Sequence, residues 1–261
     1  ATTEIYTLSL HDALPIFYAY DDDHIEKCHS SFFSHIFYHC LFENREYFFI
    51  DNNWFKIEDS FLSELNLFCE KFINSNYHSV NNLKKWNFDL DENQYNALYI
   101  GDDNTIVMDR ILPNFIEPCD ILKWDHENLY FIHVKKGFGN TMRDLCSQIS
   151  IAARRILIDL KSDKKFIAKI YDFLRQKIGS PDSYLNEVGN QTIKYKRDFF
   201  LDLFNSRKII FILAVLDTAS SGDRDIKTQI QNFKSTIAKF ALRMLSIEMK
   251  SFDIPFEIIQ I

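Results

Sequence analysis

Asp120, His133 and Lys135 are the residues whose types and spacing point most directly to chemistry. They lie in residues 116–136, IEPCDILKWDHENLYFIHVKK, where two apolar runs, CDILKW and LYFIHV, flank the polar tetrapeptide Asp125-His126-Glu127-Asn128. Apolar runs around a polar turn predict a β-hairpin. With Trp124 paired to Leu129, Leu122 faces Phe131 and Asp120 faces His133. Cross-strand partners share a face, and Lys135, two residues beyond His133, shares it too. A buried strand face does not gather a carboxylate, an imidazole and an ammonium by default, because unpaired polar groups there are costly. Such a set can hold a divalent cation, move a proton and meet the charge of a phosphate. The structural alternative is a satisfied buried network in which Asp120 pairs with His133 or Lys135.

The elements that must position this hairpin are legible on both sides of it. EYFFI (46–50) and WFKI (54–57) around Asp51-Asn52-Asn53 predict a first hairpin. Asp59-Ser60 opens a helix to about residue 72, with an apolar stripe of Phe61, Leu62, Leu65, Leu67 and Phe68. Residues 97–100 and 105–108 around Gly101 predict a second hairpin, and that of residues 116–136 is the third. A helix is expected over 140–159, a second from Ser162 to about 177, and a short one over 195–205. KIIFILAVL (208–216) suits a strand buried on both faces. A helix over about 229–250 and a strand over 256–261 close the chain. This order predicts an α+β fold whose antiparallel hairpins form a mixed sheet flanked by helices.

The predicted face resembles the arrangement used by metal-dependent nucleases of the PD-(D/E)xK type, so the fold expectation extends to a core of that kind. In those enzymes two acids hold Mg²⁺, a lysine stabilises phosphate charge, and a glutamine on the following helix often completes the site. Here Asp120 takes the place of the first acid, Lys135 that of the lysine, and Gln148, on the predicted helix 140–159, that of the glutamine. His133 stands at the second-acid position. Imidazole suits Mn²⁺ or Zn²⁺ better than the oxygen-preferring Mg²⁺, and can instead serve as a general base. Glu117 can donate a second carboxylate, but it is one residue out of phase with the Asp120 face, and Pro118 predicts a strand break there. The candidate catalytic residues are therefore Asp120, His133, Lys135 and Gln148. The candidate metal ligands are Asp120, His133 and Glu117, and the expected ion is Mg²⁺ or Mn²⁺.

A second cluster, His24, Cys28, His29, His35, His39 and Cys40, lies near the start. His35 and His39 are four apart, so on a helix they would share a face and with Cys28 could hold zinc. Interleaved Phe32, Phe33, Phe37 and Tyr38 offer the alternative of packing histidines. A net charge of −7 argues against a global basic surface for nucleic acid. Local runs at Lys135-Lys136, Arg154-Arg155 and residues 194–197 can still contact phosphates. Five scattered cysteines fit free thiols in a reducing cytoplasm. The longest apolar run is too short to span a bilayer, so no membrane partner is expected. Nucleic acid or a partner protein is expected instead.

Residues 1–16, ATTEIYTLSLHDALPI, read as a translated sequencing adaptor, and the remainder as the C-terminal part of a longer protein. The expected division is 1–16 artefactual, 17–110 a truncated hairpin and helix part, and 111–261 the core with the candidate site. Glu117, CDIL (119–122), FIHVKK (131–136), Gln148, YFFIDNNWFKIEDSF (47–61) and Tyr95-Asn96 resemble motifs of the "sporadically distributed" bacterial family DUF6119. The helix over 235–246 and the closing strand resemble its ending, so the likeness spans most of residues 45–261. Arg143-Asp144-Leu145-Cys146 stands where that family has Ser-His-Leu-Phe, and Ile149 where it has Gly. The family's patchy distribution implies a cytoplasmic phage-defence type of protein. Its domain would be either nuclease-like, active or degenerate, or a non-catalytic binding or scaffold module.

Overall fold

The computed structural model describes residues 16–20, 26–31, 38–43, 45–50, 53–79, 83–219 and 224–261. The chain divides into two compact units, residues 1–62 and 63–261. In the first, β1 (Ile16–Tyr20) pairs antiparallel with β2 (Glu26–Ser31). A separate antiparallel sheet holds β3 (Tyr38–Phe42), β4 (Arg45–Ile50) and β5 (Asn53–Lys56) in that order. The β4–β5 pair is the first predicted hairpin, with Ile50 opposite Asn53 and Phe49 opposite Trp54. His24 and His35 of the suggested zinc cluster lie outside the described residues, and the side chains of Cys28 and His39 are likewise outside them.

The second unit is built on one five-stranded sheet in the order β10-β9-β8-β7-β6. The strands are β6 (Thr105–Val107), β7 (Ile121–Trp124), β8 (Asn128–Lys136), β9 (Lys208–Leu216) and β10 (Phe256–Gln260). β7 runs antiparallel to its neighbours β6 and β8, whereas β8, β9 and β10 are parallel. Parallel neighbours need long crossovers. The one from β8 to β9 carries α3 (Met142–Leu160), α4 (Lys165–Arg175), α5 (Ser183–Lys194) and α6 (Arg197–Ser206). The one from β9 to β10 carries α7 (Ile226–Gln229) and α8 (Thr236–Ser251). α1 (Asp59–Asn76) buries Leu65, Cys69 and Ile73, spaced one helical turn apart. β9 is buried over six consecutive residues, as its unbroken apolar run predicts. Phe131 stacks on Phe211 at 4.9 Å between ring centres, and Phe204 of α6 closes over Phe131 at 5.8 Å. The mixed α+β architecture is the one expected.

Three local expectations are corrected. Residues 97–100 are not a strand. Asp91 caps α2 (Glu92–Ala97), accepting from the Gln94 N–H while the Gln94 side chain accepts from the Asp91 N–H. That capping box commits the segment to a helix, and turns follow it. The helix expected from Ser162 begins at Lys165, because the Asp159 carboxylate accepts from the N–H groups of Phe166 and Ile167 and so caps it from the preceding helix. Residues 183–194, passed over in the sequence, form α5 behind the N-cap Asp182. The unit boundary falls at Leu62/Ser63, and β6 pairs with β7, so a division near residue 110 would cut through this sheet.

Candidate metal centre

The hairpin holds the register read from the sequence: Trp124 opposite Leu129, Leu122 opposite Phe131, Ile121 opposite Ile132. Asp120 sits one residue before β7. Its N–H donates to Ile132 O, and its carbonyl accepts from the N–H groups of Met108 and Asp109, at 2.7 and 3.1 Å. Those two bonds bring the end of β6 against the start of β7. Pro118 stops the strand, as expected, and the chain turns back. The stop is what allows Glu117 to approach, despite its being out of phase with the Asp120 face.

Asp109, Glu117 and Asp120 converge so that one carboxylate oxygen of each lies within 4.8 Å of the others. Asp109 and Asp120 are buried, and Glu117 is partly so. Asp120 Oδ2 accepts from the Val134 N–H at 2.8 Å, Glu117 Oε1 from the Arg110 N–H at 2.6 Å, and Asp109 Oδ2 from the Tyr184 hydroxyl at 2.9 Å. Asn96 also donates to Asp109. Asn96 is fully buried, and its Oδ1 has no hydrogen-bond partner among the described residues. A buried amide oxygen on the side chain that donates to Asp109 adds a fourth potential oxygen ligand.

The electrostatics are dominated by burial and by the acids' mutual repulsion. Burial, reinforced by the Glu117 carboxylate, pushes Asp120 well above the usual carboxylate range. Burial raises Asp109 as well, and it raises Glu117 to about 7, with the charges of Asp109 and Glu92 adding to the effect. Burial and the Asp109 charge raise Tyr184, so its hydroxyl stays protonated and donates. Carboxyls pushed upward by one another bind protons when no cation is present, and a divalent cation reverses that preference.

Of the residues selected from sequence, Asp120 and Glu117 meet, but His133 is not in the group. His133 is buried at 2% exposure, its ring donates to the Pro118 carbonyl, and it lies parallel to Phe211 at 6.0 Å. Its Nε2 has no partner among the described residues, and burial lowers its pKa to about 3, so the imidazole is neutral. At His133 the hairpin is packed into the core, and the third carboxylate beside Asp120 and Glu117 is that of Asp109. Gln148 is exposed on α3, and among the described residues it makes no hydrogen bond to Asp120, His133 or Lys135. The glutamine nearest the centre in bonding terms is Gln191 of α5, which accepts from the Val107 N–H at 2.8 Å and donates to the Val107 carbonyl at 3.0 Å, holding β6 two residues before Asp109. α5 also supplies Tyr184, and its cap Asp182 pairs with the Arg110 guanidinium at 3.0 Å.

Lys135 is tied to this centre through Glu92. Its ammonium lies 2.8 Å from Glu92 Oε1, and the same oxygen accepts from the Lys136 N–H at 3.0 Å. Glu92, the first residue of α2, is close enough to raise the proton affinity of all three acids. The sequence reading missed Glu92, Asp109 and Tyr184. For Glu92 a signal existed in the D-x-x-Q capping box of residues 91–94.

Fold and site together define a mixed α+β protein with an acidic centre where β6, β7 and β8 meet. The chain belongs to the family of unknown function DUF6119, whose model matches residues 9–228, and that span includes every residue of the centre. No curated protein and no solved structure matches the chain. Among the described residues, no helix is long and apolar enough to cross a membrane.

Proposed function

We propose that Asp109, Glu117 and Asp120 hold one divalent cation, Mg²⁺ or Mn²⁺, and that the centre hydrolyses phosphodiester bonds in nucleic acid. The observation that carries this reading is the convergence within 4.8 Å of three carboxylates, Asp109 after β6 and Glu117 and Asp120 before β7, with the Asn96 oxygen, unpartnered among the described residues, on the side chain that donates to Asp109. Hard cations prefer such oxygen ligands, and Mg²⁺ sites commonly combine carboxylates with water and substrate phosphate. A bound cation supplies a more acidic water and a positive charge for a phosphate oxygen. Tyr184 and Asn96 orient Asp109, and Arg110 and Val134 orient Glu117 and Asp120 through backbone N–H groups. Lys135, held in place by its ion pair with Glu92, meets the second negative charge that develops on phosphate.

A non-catalytic reading has its own support, because the Asp120 carboxylate completes the hydrogen bonding of β8 and His133 is sealed against Phe211. In that case the centre binds a cation to fix the strand ends and does not turn over. Calorimetric titration with Mg²⁺ and Mn²⁺, alongside cleavage assays on single- and double-stranded DNA and RNA, separates the readings. Binding with metal-dependent cleavage abolished by Asp109→Asn supports the hydrolase, and binding without cleavage supports the structural centre. Absence of binding to either ion removes both.

A further inference from the structure

At the opposite end of β8 from the acidic centre lies a cavity of about 1130 Å³, bounded by α1, α3, α8, the α6–β9 junction and the start of β10. Asn128 and Lys208 pair at that end, and Lys135 lies seven residues along β8, roughly 23 Å away at strand rise. The cavity is distinct from the proposed metal centre.

Its lining has two features. Apolar rings form one wall: Phe68 and Phe72 of α1 lie parallel at 6.3 Å, and Phe72 stacks on Phe256 at 5.6 Å. Cations form the rim. Lys71, Arg207, Lys208 and Lys250 line the cavity against one carboxylate, Asp253. This is a concentration of positive charge in a chain of net charge −7. Lys71, Lys208 and Lys250 are exposed and have no carboxylate partner among the described residues. Four cations against one carboxylate around an aromatic-walled hollow make an anion-binding surface beside an apolar wall.

We propose that this cavity binds a stretch of single-stranded nucleic acid, with phosphates on Lys71, Lys208 and Lys250 and bases against Phe68 and Phe72. The cations stand on three separate elements, which suits successive phosphates better than the single headgroup of an anionic lipid. Aromatic faces stack on any base, and such platforms bordered by cations bind unpaired strands with little sequence preference. The volume exceeds the roughly 300–1,000 Å³ of sites for one small ligand. The proposal does not rest on the hydrolase reading, because strand binding here needs no divalent cation.

The test is fluorescence anisotropy on the full chain in EDTA, with a labelled oligothymidine of about 12 nucleotides. A duplex of equal length and phosphatidylserine vesicles serve as competitors. Saturable binding of the oligothymidine, weaker binding of the duplex, and no competition by vesicles are expected. The log of affinity should fall linearly with the log of salt. The variant Lys71→Gln/Lys208→Gln/Lys250→Gln should reduce that slope by roughly 2, at about 0.7 per lost phosphate contact on a single strand. Phe72→Leu, which keeps apolar bulk but removes the ring, should weaken binding about 5-fold or more. Circular dichroism and thermal melting establish that each variant is folded. No binding at low salt, equal binding by the triple variant, or displacement by vesicles overturns the proposal. Because EDTA removes any cation, these results stand apart from success or failure of the metal centre.

Discussion

The Asp120 carboxylate accepts the Val134 N–H at 2.8 Å, so a side chain completes β8 at the point where β7 has already ended. The same carboxylate faces Asp109 and Glu117. One group thus serves both the sheet and the acidic centre, and isosteric and truncating substitutions separate the two roles.

Asp120→Asn keeps an oxygen for Val134 and removes one charge from the cluster. It should leave stability unchanged or raised while weakening Mg²⁺ or Mn²⁺ binding at least 10-fold, the scale of losing one charged ligand. Asp120→Ala also loses the hydrogen bond and should cost about 1–3 kcal/mol in urea unfolding, because the Val134 N–H is left buried and unpaired. Equal cation affinity in Asp120→Asn and the parent chain would remove Asp120 from the ligand set.

Glu117 gives the centre a pH signature. Its carboxyl rises from 4.5 to about 7 on folding, chiefly through burial. A raised acid pKa means that the folded state binds the proton more tightly than the unfolded state. Stability from this group is fully present below the unfolded value and is lost as pH rises through the folded one. The cation-free protein should therefore lose stability between about pH 4.5 and about 7. Glu117→Gln should flatten that loss, and added Mg²⁺ should raise the melting temperature more above this window than below it. A cation stabilisation equal on both sides of the window would exclude Glu117 as a titrating ligand.

The hairpin register, β9, β10 and the body of α3 were legible because local periodicity and a polar turn determine them. The acidic centre was half legible. Asp120 and Glu117 carry their own hairpin context, but Asp109 meets Asp120 only because β6 and β7 pair, and its Tyr184 partner lies 75 residues along the chain. His133 misled for a related reason. Alternation along the strand cannot show that Phe211 covers His133. Lys135 was matched to a lysine that stabilises phosphate charge, whereas Glu92, at the start of α2, already holds it.

α5 deserves a direct test, since it positions β6 and Asp109 without touching a cation. Gly189 packs its backbone so closely on the preceding turn that an added Cβ would lie 2.6 Å from Ile178 N and 2.7 Å from Lys177 C. Gly189→Ala should destabilise by about 1–3 kcal/mol, because the backbone there cannot yield without shifting the helix. Gln191→Leu leaves the Val107 N–H and carbonyl without their side-chain partner and should cost a similar ~1–3 kcal/mol. Both should weaken cation binding in calorimetry with all three ligands intact. Unaltered affinity in a destabilised Gln191→Leu protein would show that β6 holds Asp109 unaided.

Lys135→Met separates chemistry from assembly. The substitution keeps most of the apolar stem and removes the charge, while Glu92 retains its bond from the Lys136 N–H. Lys135 bonds to Glu92, outside the three-acid group, so Mg²⁺ and Mn²⁺ should bind as tightly as before, or more tightly once a nearby positive charge is gone. Phosphodiester cleavage should fall on the order of 100-fold, the scale of losing one group that stabilises transition-state charge. The loss should appear in kcat, with KM changing little, since a group engaged mainly by developing charge contributes little to ground-state binding. Glu92→Gln should show a weaker version of the same effect, because it loosens the lysine without removing it. Loss of cation binding and cleavage together in Lys135→Met would mean that the Lys135–Glu92 pair holds the acidic centre in shape and takes no part in the reaction.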